Sequence, residues 1–233
     1  MKYRKITKGI FVSRPNRFIA VVNIDGREET VHVKNTGRCR ELLVPGVTVY
    51  LEESDNLSRK TRYDLVTVEK LRDGKPPLTV NMDSQAANDI AEEWLRESGL
   101  FSAKAVIRRE VTHGASRFDF CIDDGEKRSF LEVKGVTLET EGIAAFPDAP
   151  TERGVKHINE LADCVQDGFG AYLLFVIQMK EIKLLVPNDS THKAFGDALR
   201  QAEKVGVKIL AVDCAVTPDT VRAENFVQVE LNR

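Results

Sequence analysis

Between residues 17 and 80 the chain alternates apolar and polar positions in short runs, at 17–24, 29–33, 48–52, 63–70 and 78–80, with Asp25-Gly26, Pro45-Gly46 and Asp73-Gly74 among them. A period of two punctuated by Gly and Pro predicts β-strands joined by turns. From Ser84 the period changes. Ala87, Ile90, Ala91, Trp94 and Leu95 recur at helical spacing and Gly99 closes the stripe, so a helix is expected there with Trp94 in the core. Further on, the pattern predicts strands at 105–111, 117–122 and 130–136, a helix at 154–166, a strand at 171–177, a helix at 192–205 and a strand at 207–212.

Five short strands in the first 83 residues suit a small Greek-key barrel of the OB type, whose usual ligand is single-stranded nucleic acid or oligosaccharide; a β-rich structural module without a ligand suits them equally. The later order, α-β-β-β-α-β and then α-β, is that of the PD-(D/E)XK nuclease core, which carries its chemistry on the second and third strands. The expected fold class is therefore α/β (α+β), with an OB-fold β-barrel over 1–83 followed by a PD-(D/E)XK nuclease-like mixed-sheet domain over 84–233.

Apolar content of 42% and charged content of 30% are ordinary for a soluble globular chain. The longest apolar run, 171–177, is too short to span a bilayer, and Arg14, Pro15 and Arg17 interrupt the stretch after the basic start, so neither membrane insertion nor secretion is expected. Cys39, Cys121, Cys164 and Cys214 are scattered without CxxC spacing, which fits buried thiols in a reducing cytoplasm. The net charge of −2 is unevenly divided: residues 1–83 hold 16 Lys and Arg against 11 Asp and Glu (+5), and residues 84–233 hold 18 against 25 (−7). The first part is the better polyanion surface, and the acidic remainder needs a metal ion or a local basic patch to hold a phosphate backbone.

Candidate chemistry begins at Arg117-Phe118-Asp119-Phe120 and resumes at Glu132-Val133-Lys134. Between them Asp123-Asp124-Gly125-Glu126 is a turn cluster, so the chain folds back as a hairpin with Asp119 roughly opposite Glu132. Lys134 shares a strand face with Glu132. Two carboxylates and an ammonium then converge, which suits Mg²⁺ or Mn²⁺ with a basic group to orient or deprotonate a water. The competing reading is solvated cross-strand charge pairing. Against it, both runs are mostly apolar, where charge is costly unless paired or metal-bound.

On the next helix Arg153, Lys156, His157 and Glu160 lie three or four residues apart along the flank of an apolar stripe. Arg153 could hold a phosphate oxygen, and His157 or Glu160 could steady the water or leaving group; a solvated, charge-paired helix face is the alternative. Asp148, in a literal Pro-Asp pair, is either a loop residue at the metal edge or a turn residue. Lys34, Asn35, Thr36, Arg38 and Arg40 in one loop and Arg59, Lys60 and Arg62 in another, with Arg14 and Arg17, form the expected nucleic-acid surface. Phe11, Phe18 and Tyr63 are candidate stacking platforms. His32 and His113 are read as structural.

These residues carry a family resemblance. Asn35-Thr36-Gly37-Arg38 with Glu41-Leu42, Arg59-Lys60-Thr61 with Tyr63-Asp64-Leu65, Arg117-Phe118-Asp119-Phe120, Glu132-Val133-Lys134-Gly135-Val136, and above all Phe146-Pro147-Asp148-Ala149-Pro150-Thr151-Glu152-Arg153-Gly154 with Lys156-His157 and Glu160-Leu161 resemble the sugar fermentation stimulation protein A (SfsA) family over nearly the whole chain. The resemblance implies the same two domains, DNA binding and a regulatory role in sugar metabolism. The expectation is a cytoplasmic DNA-binding protein, with RNA as an alternative polymer and a homodimer as the assembly many folds of this class adopt. Asp119 and Glu132 would bind Mg²⁺ with the Val133 carbonyl, Lys134 would position water, and Arg153, His157 and Glu160 would support the site. The runner-up is a non-catalytic DNA-binding regulator that keeps the fold, and a third reading is a small anionic metabolite or nucleotide bound as effector.

Overall fold

The computed structural model describes residues 1–35, 37–56 and 58–232; Thr36 of the basic loop lies outside them. The first lobe is built from β1 (Ile6–Asn16), β2 (Ile19–Ile24), β3 (Arg27–Val33), β4 (Thr48–Glu53), β5 (Tyr63–Arg72) and β6 (Lys75–Asn81). Their order is β3-β2-β1-β4-β5-β6, and β3 also pairs in parallel with β5 through His32↔Asp64 and Val33↔Leu65. That pairing closes β1 to β5 into a five-stranded barrel, the OB arrangement, and leaves β6 on its flank.

The barrel type agrees with the pattern, but its strands do not. The five strands counted from the sequence are β2 to β6, whereas the barrel uses β1 in place of β6. Two features hide β1. Its register on β2 slips between Phe11 and Ser13 and again before Asn16, which breaks the alternation. It also carries Gly9, where a Cβ would stand 2.4 Å from Val22 Cγ1, so a residue that reads as a breaker is what lets the two strands close.

The second lobe opens with α1 (Ala86–Glu97), followed by the meander β7 (Val106–His113), β8 (Ser116–Asp123) and β9 (Arg128–Val136). After β10 (Glu139–Thr140) and β11 (Ile143–Phe146) come α2 (Glu152–Gln166), β12 (Gly170–Ile177), β13 (Leu184–Pro187), α3 (Asp189–Val205), β14 (Lys208–Val216), β15 (Val221–Phe226) and β16 (Gln228–Val229). The main sheet runs β15-β14-β12-β9-β8-β7, with β12 parallel to both β9 and β14. A small sheet of order β10-β11-β13-β16 stands beside it; its strands, two to four residues long, are too short to show a period in the sequence.

Side chains from β12 alternate between two cores. Tyr172, Leu174 and Val176 pack with the α1 stripe of Ile90, Ala91 and Trp94, and Leu173, Phe175 and Ile177 pack with Ile158 and Leu161 of α2 and Phe195 of α3. Helices on both faces of a largely parallel centre explain the continuous apolar run at 171–177. Among the described residues, no helix is long and apolar enough to cross a membrane.

The lobes are joined by a buried polar chain. Lys34 Nζ donates to Asp83 Oδ2 at 3.0 Å, Asn81 Nδ2 donates to the Tyr3 hydroxyl at 2.9 Å, and Gln178 Nε2 donates to Asn81 Oδ1 at 2.5 Å and to the Asp83 carbonyl at 2.9 Å. Beside it Asp64 accepts both arms of Arg59, at 2.6 and 2.9 Å, and lies 2.9 Å from His32 Nδ1. Burial alone would raise the Asp64 pKa, but Arg59, His32 and Lys34 outweigh it and hold the group at about 2, against an ordinary 3.8. A depressed folded-state pKa contributes stability that is present above the unfolded value and lost as pH falls through the folded one. Asp64→Asn should therefore destabilise the protein by roughly 2 kcal/mol at pH 6. In urea denaturation at a series of pH values, the gap from wild type should narrow below pH 3.8 and keep shrinking toward about 2; a gap that stays constant over that range would show that Asp64 is not held by charge.

Candidate active site

The β8–β9 ladder pairs Asp123 with Arg128, Ile122 with Ser129, Cys121 with Phe130 and Phe120 with Leu131, and stops there. One more step would set Asp119 against Glu132, as hairpin counting expects. At that point a side chain replaces the backbone partner: Asp119 Oδ2 accepts from the Val133 N–H at 2.7 Å. The same carboxylate accepts at Oδ1 from Asn88 Nδ2 of α1 at 2.9 Å.

Glu132 shares a strand face with Phe130, which packs in the α2-side core, and is only 3% exposed. Its Oε1 accepts from Lys134 Nζ at 2.6 Å and is bonded to His157 Nδ1 of α2. Arg153 Nε approaches His157 Nε2 at 3.3 Å as donor, which makes Nε2 the acceptor and leaves the proton on Nδ1, facing Glu132. The position of α2 follows from its N-cap, where Thr151 Oγ1 accepts from the Gly154 N–H at 3.1 Å, and from the stripe Ile158, Leu161 and Cys164 that it buries. Lys134, Glu132, His157 and Arg153 are thus one hydrogen-bonded chain from a strand and a helix, and Asp119 on the neighbouring strand lies within reach of the Glu132 and Lys134 charges.

The two carboxylates differ in their electrostatics. Burial raises the Asp119 pKa and the neighbouring Glu132 charge raises it further; the bonds from Val133 and Asn88 and the Lys134 charge only partly offset this. Burial also pushes Glu132 upward, but the bond from His157 and the charge and bond of Lys134 win, and the group is held below its usual range. Glu132 Oε2 is buried and has no hydrogen-bond partner among the described residues. An acceptor left unanswered beside a second carboxylate costs free energy that a cation between them would recover.

Glu160 does not join this group. Its ion pair is with Lys156 at 3.7 Å, and its own unpartnered Oε2 belongs to a separate hollow with His113, Phe118 and Asp163. Asp148 stands at a bend of the loop before α2, where its Oδ2 accepts from the Arg38 N–H at 3.0 Å and ties that loop to the barrel. Gly37 permits this, since a Cβ there would stand 2.1 Å from that oxygen. The sequence offered no sign of Asn88, which follows the apolar Ala87 on α1 and reads as an ordinary exposed-face residue.

The basic residues divide into two sets. Arg14 donates to the carbonyls of Arg38, Arg17 and Asn35 at 2.7 to 2.8 Å, and Asn35 is buried with its Oδ1 accepting from the Gly37 N–H. Lys34 and Arg59 belong to the Asp83 and Asp64 network, and Arg62 pairs with Glu53 at 2.8 Å. These five shape the loops. Arg17, Arg38, Arg40 and Lys60 are exposed and make no ion pair among the described residues. Of the three aromatic candidates, Phe11 and Tyr63 are buried in the barrel and Phe18 is 46% exposed, with Arg17 stacked 4.9 Å above its ring.

Residues 12–74 match the family model described as SfsA N-terminal OB domain, and residues 85–220 match the one described as sugar fermentation stimulation protein RE domain. The chain belongs to the SfsA family. A sugar fermentation stimulation protein homolog of Desulfitobacterium hafniense (strain DSM 10664 / DCB-2) is 58% identical over 231 residues, covering 99% of each chain. One from Ruminiclostridium cellulolyticum (strain ATCC 35319 / DSM 5812 / JCM 6584 / H10) is 52% identical over 99% of this chain and all of its own. The solved structure of Pyrococcus furiosus SfsA in complex with Ca²⁺ superposes with a TM-score of 0.86 at 28% identity, covering 99% of this chain and 98% of that one. The OB barrel and the mixed sheet behind it are therefore those of the SfsA family.

If the Glu132 charge helps raise Asp119, Glu132→Gln should lower the Asp119 pKa. Carboxyl-carbon NMR titration of wild type and variant reads this directly; an unchanged or higher value would leave burial as the sole cause.

Proposed function

We propose that this SfsA-family chain is a nucleic-acid-binding protein whose second lobe hydrolyses phosphodiester bonds with a divalent cation held by Asp119 and Glu132. The observation that carries the reading is the unpartnered Glu132 Oε2 near an Asp119 carboxyl that burial, and then that charge, push up. Two hard oxygen donors in such a relation fit a divalent cation, and a family relative has been crystallised with Ca²⁺. Mg²⁺ or Mn²⁺ is the ion we assign, with the Val133 carbonyl as a further ligand.

A bound ion would supply charge stabilisation to the phosphoryl oxygens and a more acidic water. The chain's own groups do the rest. Lys134 Nζ, 2.6 Å from Glu132, donates to the attacking water and aims it. His157 holds Glu132 ionised and oriented, so that the carboxylate keeps one oxygen for its protein partners and one for the ion. The exposed Arg153 guanidinium is placed one helical turn from His157 to take a phosphate oxygen. Arg17, Arg38, Arg40 and Lys60 on the barrel bind the backbone of DNA, or of RNA, with the sugar-metabolism role of the family as the regulatory setting, in the cytoplasm and as a homodimer. A non-catalytic DNA-binding regulator is the second reading. It is favoured by the two hydrogen bonds Asp119 already accepts and by the lack, among the described residues, of a cluster of three or more acidic, His or Cys side chains arranged to hold an ion.

End-labelled DNA and RNA incubated with Mg²⁺, Mn²⁺ or chelator should be cut by wild type only with metal, and Glu132→Ala should cut at least ~10²-fold more slowly while still retarding the polymer on a gel. In parallel, Ca²⁺ should raise the melting temperature of wild type and not of Glu132→Ala. Retardation without cutting by either protein would favour the regulator, and a Ca²⁺ shift that survives the substitution would remove Glu132 as a ligand.

A further inference from the structure

Where Asn35, Gly37 and Arg38 of the barrel meet the segment 145–151, two hollows adjoin. The first, a cavity of about 340 Å³, is lined in part by Gly135, Thr137, Phe146, Asp148 and Gln178. Gln178 closes its floor. Gln178 is fully buried, both hydrogens of its amide are committed to Asn81 and Asp83, and its Oε1 has no partner among the described residues. That oxygen packs against Gly135, where a Cβ would stand only 2.6 Å from it and 3.3 Å from Ala87 Cβ, so the missing side chain is what lets β9, α1 and Gln178 close together there. The wall offers the Asp148 carboxylate as an acceptor beside the Phe146 ring.

The second hollow, about 470 Å³, has the opposite chemistry. Arg17, Arg38 and Arg40 line it with Asn16 and no carboxylate, and it shares Arg17, Gly37 and Ala149 with the first. None of these three guanidiniums makes an ion pair among the described residues, whereas most of the chain's other arginines are paired, so the hollow offers free positive charge to an anion. Arg14 holds their loops in place from below through its three carbonyl contacts.

We propose that the adjoining hollows form a subsite for one nucleotide unit: the arginines take the phosphate, and the cavity takes an unpaired base that donates an N–H group to the Asp148 carboxylate. A volume of about 340 Å³ accommodates a purine or pyrimidine ring, and a duplex cannot offer a base to it without unstacking. Gly135 directly follows Lys134 in β9, and Thr151, the N-cap of the helix that carries Arg153 and His157, lines the same cavity. This rests on and deepens the phosphodiesterase reading: the polymer it would act on is single-stranded, or has an unpaired end. The same chemistry would also accept a free nucleotide as ligand.

The test is fluorescence anisotropy in chelator, where no cleavage intervenes. An eight-residue single strand and a blunt duplex of equal length are titrated with wild type, Arg17→Ala and Ala149→Phe, the last placing a ring in the passage between the hollows. Thermal melting confirms that each variant is folded. Wild type should bind the single strand roughly 10-fold more tightly than the duplex, each variant should lose roughly 10-fold on the single strand, and nucleoside monophosphates at millimolar concentration should compete. Binding of monophosphates, blocked by Ala149→Phe, with no binding of single strands would support the subsite and assign it to a free nucleotide. Equal affinity for single strand and duplex, unchanged in Ala149→Phe, would overturn it and leave the arginines as a plain phosphate surface. Glu132→Ala should retain the subsite binding, so a missing nuclease activity and a missing subsite are read separately.

Discussion

A carboxylate buried among apolar strands must be answered by charge, and the arrangement of the second lobe turns on how Glu132 is answered. Removing such a group's partners typically costs several kcal/mol, because the charge then stands unpaired in a medium that screens it poorly. Lys134 comes from the same strand face two residues on, and His157 is delivered by α2, which can reach Glu132 only because its apolar stripe beds on β9 and β12. The Arg153 contact then fixes which imidazole nitrogen carries the proton. One oxygen is satisfied by this shell and the other is not, and that asymmetry separates a site built to receive something from a finished ion pair.

The ladder termination next to it is part of the same construction. β8 and β9 run in register up to Phe120 and Leu131, and a continuing ladder would have engaged Val133 N–H with backbone. Instead the Asp119 side chain takes that donor, which draws its carboxylate toward Glu132 despite their mutual repulsion. Asn88 contributes from α1 on the other side of the sheet. Strain of this kind, two like charges held together by neighbouring donors, is characteristic of functional sites and has no stabilising purpose of its own.

Much of this was legible in the chain itself, and the exceptions have physical reasons. The hairpin register, the Asp119–Glu132 juxtaposition and the helix bearing His157 all follow from strong periods and a clear turn, and the family motifs pointed to the same residues. β1 was hidden because a register slip and Gly9 erase the alternation that would announce it. The four short strands of the second sheet carry no period at all. Among basic residues, sequence shows charge but not commitment: Lys34 and Arg59 look like Arg38 and Arg40 in a loop, and only the fold reveals that the first two face Asp64 and Asp83. Gln178 at the end of an apolar strand and Gly135 after a lysine carry no pattern either, since their significance is a distance between two distant parts of the chain.

Both hydrophobic cores draw on both lobes. The cluster that includes Phe11, Val22 and Leu51 of the barrel continues through Met82 to Phe118 and Phe175, and the cluster around α1 includes Tyr3 and Val66. Lys2 bridges to Thr220, and the Tyr3 N–H donates to the Asp219 carbonyl at 2.8 Å. The barrel is therefore not a detachable module in the sense that many OB domains are. Recombination that exchanged one lobe for that of a distant relative would have to carry matching surfaces at three separate seams, which gives this architecture a reason to be inherited as a single block.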